Sequence, residues 1–233
     1  MKLLTMFFDI FFPPKCIYCG KFLAPGDRPL ICRKCADKVP YIQTRCSKCG
    51  GVFTYNSGKP ECLSCKVAGR YFDGAYAPAK YNTDVRTAIL KYKFGSQTYM
   101  AKPLSHFTVE GLKKLGIKAD VVLSVPPDPG RANKRSFDPT EQLGRTIASQ
   151  LNLPYKSNWI KKIRSTPNQS KLTRAQRLKN LKGAFALTKK ANVKGLKILL
   201  VDDIITTGAT VSEVTKVLKK NGAEYVFVAT LAN

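Results

Sequence analysis

The chain has a single histidine, His106, in a helix-like stretch with no nucleophile motif beside it. A Ser-His-Asp or Cys-His mechanism therefore has no strong candidate, and His106 reads as structural rather than catalytic. Neither G-x-x-x-x-G-K-[ST] nor G-x-G-x-x-G occurs, which removes nucleoside triphosphate hydrolysis and dinucleotide redox chemistry. Acidic residues are scarce: 15 Asp and Glu stand against 40 Lys and Arg, a formal net charge of +25. Between Gln142 and Val201 there is no acid at all, while fourteen Lys and Arg from Arg145 to Lys197 fall there. Such an excess points to nucleic acid, phosphorylated metabolites or an anionic membrane surface; a solvated, lysine-rich face is the plain alternative.

Long apolar runs are also missing. The opening MKLLTMFFDIFFPP has a basic start and an apolar stretch, but Asp9 interrupts it, no small-residue cleavage site follows, and it is too short to span a bilayer. Leu3, Leu4, Phe7, Phe8 and Phe11 stand near helical spacing before Pro13-Pro14, which predicts an amphipathic helix, with a membrane-surface anchor as the sharper alternative. The 233 residues, 44% hydrophobic, suffice for one ordinary core and a small accessory module.

Cysteine is absent after position 65, and the eight present form four C-x-x-C pairs: Cys16/Cys19, Cys32/Cys35, Cys46/Cys49 and Cys62/Cys65. Two such turns complete a tetrahedral four-thiolate zinc site, and four spaced pairs predict two zinc ions rather than disulfides, since nothing marks the chain as secreted. Gly20 and Gly50 follow the second cysteine of their pairs, where the chain turns tightly. Neighbouring pairs or alternate pairs can share a metal, and short loops favour neighbours. Apolar residues are too few here for a core, so metal would supply folding energy. Lys15, Lys21, Arg33, Lys34, Lys48, Lys59, Lys66 and Arg70 alternate with Tyr18, Phe22, Tyr41, Phe53 and Tyr55. That interleaving suits single-stranded nucleic acid, or equally the small core of a zinc ribbon.

Beyond residue 70 the texture changes. FDGAYAPAKY, ADVVLSVPP, LKILLVDD and EYVFVATLA read as strands. DVRTAILKYKFG, MAKPLSHFTVEGLKKLG, DPTEQLGRTIASQLNLP and GATVSEVTKVLKKNGA read as helices, the third opened by Asp138 and Glu141. Alternation of this kind predicts an α/β fold with a mostly parallel twisted sheet and a ligand at the carboxyl edge of its strands. Asp202 and Asp203 follow directly from an apolar strand, where two carboxylates are costly unless they bind something. Thr206, Thr207, Gly208, Ala209 and Thr210 then offer hydroxyls and backbone N–H groups at a helix start, a cradle for a phosphate. A sugar phosphate satisfies both halves.

VDDIITTGAT resembles the phosphoribosyl diphosphate signature of type I phosphoribosyltransferases. Together with FFPPKCIYCG, LKYKFG, VLSVPP, KRSF and STPNQSKLTRAQRLKNLKGAF, it makes nearly the whole chain resemble the ComF competence-protein family. The resemblance implies an N-terminal zinc-ribbon module, residues 1–70 with the amphipathic helix, fused to a phosphoribosyltransferase-like domain, residues 71–233. It implies that Asp202 and Asp203 meet the ribose hydroxyls, Thr206 to Thr210 the 5-phosphate, and Val125, Pro126 and Pro127 the diphosphate. Arg174 and Arg177 would lie in or near a loop closing over the site, as the candidate catalytic residues, with a solvated helix face as their alternative. Family members commonly read Arg-Gly-Phe-Asn-Gln where this chain has Arg135, Ser136, Phe137, Asp138 and Pro139, which removes a tight turn and two amides.

Two functions follow from the resemblance. One is a cytoplasmic DNA-uptake factor of natural transformation that binds phosphoribosyl diphosphate with Mg²⁺ and single-stranded DNA alongside a helicase-like partner. Within the acid-free stretch, Lys161, Lys162, Arg164 and Lys171 are the candidate nucleic-acid contacts. The other is an active phosphoribosyltransferase that releases pyrophosphate, with a base, nucleotide or nucleic acid as acceptor. No general base stands out in the sequence for it.

Overall fold

The computed structural model describes residues 9, 11–25, 29–53, 61–95, 97–132, 137–166, 176 and 180–233. Leu3, Leu4, Phe7 and Phe8 of the expected N-terminal helix lie outside the described residues, as do Arg135, Ser136, Lys171, Arg174 and Arg177.

Four parallel strands form the central sheet: β1 (Gly74–Tyr76), β2 (Val121–Ser124), β5 (Lys197–Val201) and β6 (Tyr225–Ala229), in the order β1-β6-β5-β2. Their near-continuous apolar runs are what a sheet covered on both faces requires. The pleat sorts them: Val122, Leu199, Val201, Phe227 and Ala229 join one core cluster, and Val121, Leu123, Ile198, Leu200, Val226 and Val228 join the other.

Helices α1 (Arg33–Ala36) and α2 (Leu63–Ala68) belong to the cysteine module. Of the others, α3 (Thr83–Phe94), α4 (Ala101–Lys114) and α6 (Pro139–Leu151) supply the first cluster, and α7 (Ala209–Lys220) the second; α5 (Pro129–Ala132) is a single turn after β2. Asn82 caps α3 by accepting from Val85 N, and Asp138 caps α6 by accepting from Thr140 N and Glu141 N, with Pro139 in the first turn. A separate antiparallel pair, β3 (Ile160–Lys162) with β4 (Phe185–Leu187), packs on the α7 side.

The cysteine module straddles the β1 edge of the sheet. Ile17 and Val39 enter one core cluster, whereas Cys46, Cys49 and Cys65 enter the other. Ile42 N donates to Pro78 O and Lys80 N to Pro40 O, both at 2.9 Å, just past β1. A Cβ at Gly50 would come within 2.7 Å of Ala75 O, so the glycine permits close backbone contact. An otherwise exposed edge strand is thereby covered.

Candidate functional site

The cysteines separate into two groups of neighbouring pairs: Cys16, Cys19, Cys32 and Cys35, and Cys46, Cys49, Cys62 and Cys65. The second repeats the first thirty residues later, down to a backbone N–H aimed at a sulfur, Cys32 N to Cys16 Sγ at 3.4 Å and Cys62 N to Cys46 Sγ at 3.2 Å. None of the eight is joined in a disulfide. Sulfur separations are 3.8 Å for Cys19–Cys32 and 3.9 Å for Cys46–Cys65 and Cys49–Cys62. A tetrahedron with zinc–sulfur bonds of about 2.3 Å has edges of about 3.8 Å, whereas a disulfide needs about 2.05 Å. The donor sets therefore fit zinc, and the neighbour arrangement resolves the pairing. Cys46→Ala is expected to lower bound metal from two ions per chain to one, read by elemental analysis.

The second constellation lies at the carboxyl edge of the sheet. Asp202 and Asp203 follow β5, with Val125, Pro126 and Pro127 next to them at the end of β2, where Val125 N donates to Val201 O at 2.9 Å. Leu231 N donates to Asp203 O and Ile205 N to Ala232 O, both at 3.0 Å, which fixes the loop between β5 and α7. Asp203 N donates to Asp202 Oδ1 at 2.8 Å. Thr206, Thr207, Gly208, Ala209 and Thr210 line one small cavity with Asp202. Gly208 caps α7 with φ of +72°, a left-handed conformation that a side chain resists. Burial and the Asp203 carboxylate push the Asp202 carboxyl up to about 8. Lys93, near the end of α3, forms an ion pair with Asp203. Tyr92 anchors that helix end by donating to Pro139 O at 2.6 Å.

Asp128, next after Pro127, is the hub of the neighbouring loop. It accepts from Lys162 Nζ at 2.7 Å, Ser165 Oγ at 2.9 Å, Thr166 N at 3.1 Å and Gly130 N at 3.0 Å. Burial alone raises such a carboxyl, but these donors, Lys162 first, hold it well below the usual carboxylate range.

Residues 7–69 match the model of the double zinc ribbon domain, and residues 141–233 that of the phosphoribosyl transferase domain. Competence protein F of Haemophilus influenzae is 28% identical over 230 residues, 95% of this chain and 98% of the relative. DNA utilization protein YhgH of Escherichia coli O157:H7 is 30% identical over 221 residues, 93% of this chain and 95% of the relative. The chain belongs to the ComF competence-protein family.

In this ComF chain the ligand-site candidates Val125 to Pro127, Asp202, Asp203 and Thr206 to Thr210 share one sheet edge. The nucleic-acid candidates are less uniform. Lys161 is exposed, whereas the Lys162 side chain is largely covered and pairs with Asp128 at 2.7 Å. Arg164 Nη2 donates to Asn180 O at 2.9 Å and Lys182 O at 3.1 Å, tying the two limbs of the β3–β4 connection. Of the interleaved aromatics, Phe22 is 65% exposed beneath Lys15, whereas Tyr18, Tyr41 and Phe53 pack against the cores. Tyr55 lies outside the described residues. Lys93, Asp128 and Arg70 carry no motif signal of their own, although Lys93 stands in LKYKFG. Among the described residues, no helix is long and apolar enough to cross a membrane.

Proposed function

We propose that the chain is a cytoplasmic DNA-uptake factor that binds phosphoribosyl diphosphate with Mg²⁺ at the Asp202–Thr210 mouth, and single-stranded DNA on its basic surface. The observation that carries this reading is the adjacency of two carboxylates to a hydroxyl-lined helix start at the carboxyl edge of a parallel sheet. Ribose hydroxyls donate to Asp202 and Asp203, the 5-phosphate accepts from the N–H and hydroxyl groups of the loop, and the diphosphate reaches toward Pro126 and Pro127. Mg²⁺, arriving with the diphosphate, supplies neutralising charge. Lys93 pairs with Asp203 at this mouth, a contact the ligand would compete with. A helicase-like partner and the arginines Arg174 and Arg177 complete the proposal on the strength of the family resemblance. Phosphoribosyl transfer at the same mouth is the alternative, and pyrophosphate release reports it.

Asp202 gives the ligand site a proton signature. Its folded carboxyl titrates near 8 against about 4 when unfolded, so the neutral acid stabilises the fold below about pH 4 and that contribution is lost as pH rises through 8. A ligand whose hydroxyls need a carboxylate must displace that proton. Phosphoribosyl diphosphate is therefore expected to bind more tightly at pH 8.5 than at pH 6, with proton release near pH 7. Calorimetry in buffers of different ionisation enthalpy reads both; proton uptake contradicts the orientation. For DNA, affinity for a single-stranded oligonucleotide is expected to fall steeply with salt, and Lys161→Glu to flatten that slope by about one counterion.

A further inference from the structure

The segment that leaves the second ribbon runs beside the phosphate loop. Past Gly69 at the end of α2, Tyr71 N donates to Ser212 Oγ in the first turn of α7 at 3.2 Å, and Lys216 lies 5.2 Å from the centre of the Tyr71 ring. Arg70 is thereby held between two features of opposite demand. On one side its Nη1 packs so closely on Gly208 that a Cβ there would collide with it. On the other, it follows the helix that carries Cys65, and Cys46, Cys49 and Cys65 share one core cluster with Phe72, Ile205 and Ala209 beside the loop. Its Nε and Nη1 are buried and make no hydrogen bond. A guanidinium in that state is costly unless an opposite charge compensates it. Four thiolates around one zinc ion would carry a net charge of about −2, and Cys65 stands only five residues before Arg70.

We infer that Arg70 is a positioning residue through which the second four-cysteine centre holds the Thr206–Thr210 loop in its anion-binding shape. The inference rests on the reading of that loop as the phosphate cradle. Arg70 does not line the cradle, so it acts through Gly208 and not as a ligand. The metal centre steadies the guanidinium, the guanidinium backs the loop, and the added positive charge favours an anion on the far side. Because coupling is reciprocal, an anion on the loop also favours retention of metal by Cys46, Cys49, Cys62 and Cys65.

Zinc-loaded full-length chain carrying Arg70→Met or Arg70→Lys tests this. Both variants are expected to keep two zinc ions. Without ligand, deuterium exchange at the amides of Gly208, Ala209 and Thr210 should accelerate roughly tenfold or more in Arg70→Met and recover in Arg70→Lys, with the cysteine turns unchanged. Affinity for phosphoribosyl diphosphate with Mg²⁺ should fall on the order of tenfold in Arg70→Met. Release of zinc to a chromogenic chelator should be slowed by the ligand in the natural chain and not in Arg70→Met. Unchanged exchange at the loop in Arg70→Met overturns the inference whatever ligand the loop takes, and so does a lost zinc ion with the loop undisturbed. Accelerated exchange in a protein whose natural form does not bind phosphoribosyl diphosphate supports the positioning role and overturns the ligand assignment instead.

Discussion

Replacing Asp202 and Asp203 together by Asn is expected to weaken phosphoribosyl diphosphate binding by at least about 100-fold, because each carboxylate contributes charged hydrogen bonds worth roughly 1.5–3 kcal/mol. The amides keep the shape of the mouth and remove its charge. Asp202→Asn alone has a second expected effect, on stability. Burial and the Asp203 charge oppose ionisation of Asp202, so removing the titrating group should raise the melting temperature at pH 8.5 by clearly more than at pH 5. Loss of the ligand with gain of alkaline stability is the mark of a residue kept for binding. Thermal melts and calorimetry at both pH values measure it; ligand affinity within threefold of the natural chain in the double variant would sink the site assignment.

The second large effect belongs to Asp128. Asp128→Ala leaves the Lys162 ammonium buried without its partner, and the Ser165 hydroxyl and the Thr166 and Gly130 N–H groups without their acceptor. Breaking a buried pair from one side costs about 3–5 kcal/mol, read by urea unfolding. Removing both charges, with Lys162→Met added to Asp128→Asn, is expected to restore a large part of that loss. Sign and pH agree with the hydrogen bonding: the depressed Asp128 carboxyl contributes fully above its unfolded value near 4, and the contribution is lost as pH falls through the folded one. A cost for Asp128→Ala below about 1 kcal/mol would mean that solvent already screens the pair.

Much of this fold is legible in the chain because local pattern and global architecture agree. The apolar strands before Pro126 and before Asp202 are too continuous for anything but a doubly covered sheet, and Asp138-Pro139 announces a helix start that the structure realises. The Asp202–Thr210 turn is legible for the same reason, since its hydroxyls, glycine and carboxylates are consecutive. Pairs distant in sequence are not. Lys93 meets Asp203 across 110 positions, and Asp128 meets Lys162 across 34, so neither partner signals the other. The three-residue strands β3 and β4 carry too little periodicity to stand out in a lysine-rich stretch. Arg70 looks like one more cation among many around the cysteine turns; only its packing on Gly208 distinguishes it.

Titration of Mg²⁺ and phosphoribosyl diphosphate into the zinc-loaded chain at pH 8, with pyrophosphate assayed in the same mixture, tests the site most directly. Saturable binding at one site per chain, lost in the Asp202→Asn, Asp203→Asn double variant, is the result expected. Pyrophosphate release in the presence of a base or oligonucleotide would make the protein a transferase and name its acceptor. No saturable binding would contradict the assignment of the Asp202–Thr210 mouth to a phosphorylated ribose.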